Sequence, residues 1–194
     1  MSSLASFMKL PKTPKSALPD VRGAHHPAPP APFGEPAVQS SPGGFPPRKR
    51  ILLVDDDPTV RDSLRDVLVA EGYFVLPAED GQQALNVVGN FEVDLVLLDL
   101  NMPVKNGWDT FAQLTSENPC LPIIIITARP NQWFTALGAG VGALMEKPMD
   151  IPALLQTMTA LLAEPAELRL ARLTGEHTDF RYLPSAEQRR GGKA

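Results

Sequence analysis

The chain is poor in cysteine and histidine, and it has no long apolar run. Its single cysteine, Cys120, cannot form a disulfide within the chain, which suits a reducing compartment. No histidine or basic residue adjoins Cys120 in sequence, so it reads as a small filler near a strand start. Two of the three histidines, His25 and His26, sit side by side in a proline-rich stretch, and no Cys/His set has the spacing of a zinc site. No apolar stretch is long enough to span a bilayer. Pro11, Pro14 and Pro19 break the apolar core that a secretion leader would need, so the expected location is the cytoplasm.

Charge is distributed unevenly. Residues 1–50 carry a net +5, residues 51–163 a net −10 and residues 164–194 a net +1. The acidic middle repels phosphate backbones, which argues against direct nucleic-acid binding. Eleven of the twenty-one prolines fall within residues 1–50. The run HHPAPPAPFGEP lacks the amide hydrogens that helices and ladders require. Residues 1–49 are therefore expected to be disordered, locally polyproline II, serving as a tether or docking peptide.

From residue 50 the texture changes. Short apolar runs alternate with helical periodicity. Strands are expected at ILLV (51–54), YFVL (73–76), VDLVLLD (93–99), PIIIIT (122–127) and GALME (142–146). Helices are expected after Asp57-Pro58, over Asp80 to Val88, Trp108 to Ser116 and Asn131 to Leu137, and after Asp150. Five β-α units with continuously apolar strands imply a parallel sheet covered on both faces. Beyond residue 163 a short helix fits Glu167 to Leu173, with no further order expected.

In such a sheet, ligands sit beyond the carboxyl ends of the strands. Asp55, Asp56 and Asp57 end the first strand, Asp99 the third, Thr127 the fourth, and Lys147-Pro148 follows the fifth. Clustered carboxylates call for a cation, and oxygen donors favour a hard one such as Mg²⁺. Together with Thr127 and Lys147, the cluster suits the oxygens of a phosphoryl group.

These residues, in the motifs VDDDP, LVLLDLNMPVKNGWD, IIIITA and MEKP, resemble the receiver domain of two-component response regulators over residues 50–163. The resemblance implies an α/β flavodoxin-like (βα)5 fold with a five-stranded parallel sheet in the order 2-1-3-4-5. It implies that Asp99 is the phosphoacceptor for a histidine kinase. Asp55, Asp56 and Asp99 would hold Mg²⁺ together with the backbone carbonyl of Asn101. Thr127 would be the switch hydroxyl, and Lys147 the lysine that pairs with the acceptor and then with the phosphoryl group. Lys147-Pro148 would be cis. Met102-Pro103 and Gly107 would shape the loop after the acceptor. Asp57 reads as the helix cap. No enzyme activity is implied beyond self-catalysed phosphoryl acceptance and loss.

The match departs from the family at two points. Leu144 stands where receivers usually carry Tyr or Phe, and the segment from Thr127 to Lys147 looks short across the fourth helix. There Trp133 and Phe134 are neighbours, and one of the two is expected to turn inward. Gly138-Ala139-Gly140-Val141-Gly142 imitates a dinucleotide fingerprint, but it precedes a strand and reads as a turn.

Too little chain follows residue 163 for an output domain. A stand-alone regulator is expected, with output to a protein target or a histidine phosphotransfer protein. The face of the fourth helix, fifth strand and fifth helix could support a homodimer. Two other readings remain. One is a receiver-like module that binds partners without phosphorylation. The other is a haloacid-dehalogenase-like phosphatase with Asp55 as nucleophile and Asp57 as acid/base; it lacks a further acidic pair and leaves Asp99 without a role.

Overall fold

The computed structural model describes residues 48–102, 106–129, 131–176 and 179–185. The proline-rich segment up to Pro47, Pro103 of the loop after β3 and the last nine residues lie outside that set. The fold below is that of the described residues, which belong to the unit that begins at Phe45.

The described chain runs β1 (Arg50–Val54), α1 (Pro58–Ala70), β2 (Phe74–Ala78), α2 (Gly81–Asn90), β3 (Leu95–Asp99), α3 (Gly107–Glu117), β4 (Ile123–Thr127), α4 (Trp133–Gly138), β5 (Ala143–Glu146), α5 (Ile151–Leu162), α6 (Ala166–Leu173) and β6 (Arg181–Leu183). All strands pair in parallel, in the order β2-β1-β3-β4-β5-β6. The expected five-stranded order is present, and a sixth strand extends it where no order was expected.

Strand residues alternate between two apolar layers, as the two-residue period of a strand requires. Leu52, Val54, Val96, Leu98, Ile125 and Leu144 face the layer shared with Ala84, Phe111, Leu114 and Ala136 of α2, α3 and α4. Ile51, Leu53, Leu97, Ile124, Ile126 and Met145 face Leu64, Leu68, Leu154 and Leu161 of α1 and α5. β1 and β3 are neighbouring interior strands, so their carboxyl ends open side by side.

Several boundaries differ from the sequence expectation for local reasons. β2 continues through Pro77 to Ala78. An edge strand tolerates proline because one side of its backbone has no ladder to satisfy. α4 begins at Trp133, not Asn131, because Asn131 has a left-handed backbone with φ of 60°. Neither aromatic at the start of α4 turns inward. Trp133 is 37% exposed and Phe134 68%, and their rings stack with centroids 3.6 Å apart. The short helix has one inward residue, Ala136, and spends it on the core. Cys120 is exposed and does not fill the interior.

The chain beyond α5 is anchored by an ion pair. The Arg172 guanidinium donates from both terminal nitrogens to the two carboxylate oxygens of Glu164, at 2.8 and 2.7 Å. Both side chains are about 5% exposed or less. Burial pushes the Glu164 carboxyl up, but the hydrogen bonds and charge of Arg172, with Arg169 and Arg181 behind it, outweigh that and hold it below its usual 4.5. A carboxyl lowered on folding stabilises the fold above its unfolded pKa, and that contribution is lost as pH falls through the folded value. The melting-temperature gap between wild type and Glu164→Gln is therefore expected to be widest at neutral pH and to close as acid protonates Glu164. A gap that holds constant in acid would sink this account.

Candidate functional site

The site is built from what the strands release at their carboxyl ends. β1 delivers Asp55 and Asp56, and the next residue, Asp57, turns away to start α1. The Asp57 carboxylate accepts from the backbone amides of Thr59 (2.8 Å) and Val60 (3.4 Å), and Pro58 opens the helix. This is N-cap geometry, and it leaves Asp57 engaged elsewhere. β3 delivers Asp99. Asp55 is 4% exposed and Asp99 3%, while Asp56 faces solvent.

Lys147 holds the two buried acids together. Its ammonium donates to Asp99 Oδ2 at 2.7 Å and to Asp55 Oδ2 at 2.9 Å. Burial pulls the lysine's pKa down. The hydrogen bonds and charges of Asp99 and Asp55 outweigh that and hold it above the ordinary 10.5. The other oxygens are also fixed. Asn101 N–H donates to Asp99 Oδ1 at 2.9 Å, and Asp57 N–H donates to Asp55 Oδ1 at 3.0 Å. The Lys147-Pro148 peptide is cis, and Lys147 N–H donates to the Thr127 carbonyl at 2.8 Å. Thr127 is fully buried at the end of β4, one residue beyond the partner of Asp99. Its hydroxyl accepts from Arg129 N–H at 3.0 Å, which leaves its own proton for another acceptor.

The donor set fits a hard divalent cation. One oxygen from each of Asp55, Asp56 and Asp99 can be chosen so that all lie within 4.8 Å of one another. Opposite ligands of a magnesium ion stand about 4.2 Å apart. Three carboxylates against one ammonium leave an uncompensated double negative charge. The buried side-chain oxygen of Asn101 has no hydrogen-bond partner among the described residues.

Sequence reasoning missed one contribution. Arg61, on the first turn and a half of α1, donates to the Asp55 carbonyl at 2.7 Å and fixes the backbone that carries the acid pair. Gly107 admits α3 against the loop after β3. A Cβ there would stand 2.5 Å from Leu100 Cα and 2.7 Å from the Asp99 carbonyl oxygen. Both neighbours are backbone and cannot swing aside. Gly107→Ala is expected to lower stability by about 1–3 kcal/mol, read as a fall in the urea midpoint at unchanged slope. A midpoint equal to wild type would show that α3 shifts freely. At the loss of its usual aromatic, position 144 is filled by a wholly buried leucine packed under α4.

The structure thus presents a doubly wound parallel sheet with two buried acids and a lysine gathered at the carboxyl ends of its strands. The chain belongs to the response regulator receiver domain family, whose model matches residues 51–159. It is 43% identical over 115 residues to response regulator MprA of a Mycobacterium species (strain KMS), covering 58% of this chain and 50% of that protein. It is 38% identical over 135 residues to response regulator MprA of Mycobacterium bovis, covering 64% and 59%. The chain thus spans about half the length of such relatives. Among solved structures, a CheY-like receiver domain protein of Methanospirillum hungatei superposes with a TM-score of 0.56 at 30% identity, over 59% of this chain and 94% of that one. Response regulator protein TrrA of Thermotoga maritima, in complex with Mg²⁺-BeF, gives 0.55 at 30% identity, over 58% and 98%. The chain therefore carries a receiver domain of two-component signalling. Among the described residues, no helix is long and apolar enough to cross a membrane.

Proposed function

We propose that residues 50–163 form a phosphoacceptor receiver whose nucleophile is Asp99. The observation that carries this reading is the Lys147 ammonium held between Asp55 and Asp99, with Asp56 beside them. An oxygen of Asp99 attacks the phosphorus of a histidine kinase's phosphohistidine. The phosphorus–nitrogen bond breaks, its electron pair stays on the imidazole, and an acyl phosphate forms on Asp99. Asn101 N–H and Lys147 orient the carboxylate before attack. Lys147 then pairs with a phosphoryl oxygen, and the Thr127 hydroxyl donates to another. Asp55, Asp56, Asp99 and the Asn101 carbonyl would hold Mg²⁺, which supplies positive charge against the phosphoryl oxygens. Water attack on phosphorus would return the carboxylate and free phosphate. No other catalysis is proposed.

Output is proposed to pass to another protein or to a histidine phosphotransfer protein, in the cytosol. Residues 1–49 would act as a tether or docking peptide, and residues 164–194 as an extension of the receiver. The test is intact-protein mass spectrometry after incubation with acetyl phosphate and Mg²⁺. A single labile phosphoryl adduct that needs Mg²⁺ is expected. Absence of any adduct on protein shown to bind Mg²⁺ would favour the phosphorylation-independent binding module.

A further inference from the structure

The glycine-rich stretch before β5 and the chain after α5 fit one another. Gly140 has φ of +72°, and a Cβ there would stand 2.9 Å from Leu173 Cα and 3.0 Å from the Arg172 carbonyl oxygen. The backbone of α6 thus lies directly on Gly140, where no side chain can intervene. Three carbonyls receive Arg169: those of Leu161 (2.8 Å), Glu164 (2.6 Å) and Cys120 (2.8 Å). Arg172, beyond its pair with Glu164, donates to the Asp179 carbonyl at 3.0 Å and so ties α6 to the approach to β6. The chain then runs along the outer side of β5, with Arg181 opposite Ala143, Tyr182 opposite Leu144 and Leu183 opposite Met145. Phe180 packs against the apolar layer of α4, and Leu183 is buried in the layer of α5. The Tyr182 hydroxyl closes the far end on Glu146 at 2.8 Å.

We infer that residues 164–176 and 179–185 act as a self-docked strap, locked by the Glu164–Arg172 pair, that closes the β5 edge of the sheet against pairing with a second copy of the chain. Without the strap, β5 offers a row of unpaired backbone groups between apolar seats vacated by Phe180 and Leu183. Such an edge is a template for another strand. A second copy presents the same edge, so the two can meet about a twofold axis. The strap's own strand is only three residues long, with Tyr182 partly exposed, so polar clamps on α6 set how firmly it stays. The inference concerns assembly and holds whether or not Asp99 is phosphorylated.

The test uses the full chain, with light scattering for molar mass and hydrogen exchange for the strap. Wild type is expected at the mass of one chain, with protected amides over 181–183. Arg172→Glu sets a carboxylate against Glu164; strap protection should be lost and the mass should double with concentration. Phe180→Glu, which leaves the ion pair intact, should also double the mass, so a folding failure of Arg172→Glu does not remove the test. The inference is overturned by a strap that loses protection while the mass stays single. It is equally overturned by a strap that stays protected in both variants, or by wild type that already pairs through β5.

Discussion

Asp99→Asn is expected to take no phosphoryl group, yet to fold about as firmly as wild type. The loss of labelling follows from the removal of the attacking carboxylate, since an amide is no nucleophile toward phosphorus. The expected stability rests on two opposed effects. In wild type both oxygens of Asp99 face donors, the Asn101 amide on one side and the Lys147 ammonium on the other. An asparagine must present its NH₂ to one of them, losing a charge-assisted hydrogen bond of about 1.5–3 kcal/mol. It also removes a negative charge near the buried Asp55, a repulsion of about 3 kcal/mol at a separation near 5 Å and an effective dielectric near 20, while the solvent-facing Asp56 is largely screened. These nearly offset. Mass spectrometry after acetyl phosphate treatment checks the first half, and a urea midpoint within the error of wild type checks the second. An adduct that survives in Asp99→Asn would move the nucleophile elsewhere. Turnover of phosphate esters lost only in Asp55→Ala would revive the phosphatase reading.

Lys147→Met is expected to slow phosphoryl acceptance by about 10²–10³-fold, the usual effect of removing one charged donor aimed at developing phosphoryl charge. It should also destabilise the fold, unlike Asp99→Asn. Methionine keeps the bulk of the lysine stem but leaves Asp55 and Asp99, both buried, facing each other without a counterion. Breaking a buried ion pair in this way costs about 3–5 kcal/mol, and the one-fifth exposure of Lys147 reduces this to about 2–4 kcal/mol. The signature lies in the response to Mg²⁺. With no ammonium competing, the acid cluster should bind the cation more tightly, and bound cation stabilises the folded state. Thermal melts with and without Mg²⁺ should therefore differ more in Lys147→Met than in wild type. An equal Mg²⁺ response in both proteins would mean that the cation does not share the space of the ammonium.

The chemistry of the site was easier to read in sequence than its edges were. Asp55, Asp56, Asp99, Thr127 and Lys147 sit at strand ends that continuous apolar runs mark clearly, and parallel pairing brings such ends together. The cap role of Asp57 was equally plain, because an acid before a proline opens a helix in few other ways. What the sequence hid were effects of tertiary contact. Pro77 belongs to a strand only because β2 is an edge. Trp133 and Phe134 stack on each other in solvent, which no periodicity argument foresees. Gly140 looked like ordinary turn chemistry until Leu173 was found against it. β6 is three residues bounded by charged and turn-forming neighbours, too short for an alternating pattern to stand out.

The lone thiol has a practical consequence. Cys120 lies in the loop that leads into β4, at the end of the sheet opposite the acid cluster. Its carbonyl is one of the three that hold Arg169. A maleimide dye or nitroxide spin label would attach at this one position, with no need to engineer out other thiols. The label would sit beside the clamp on α6 and about 13 Å or more, four strand residues, from the phosphoryl chemistry. A single spectroscopic reporter could thus follow the C-terminal segment while leaving Asp99 and its neighbours chemically unaltered.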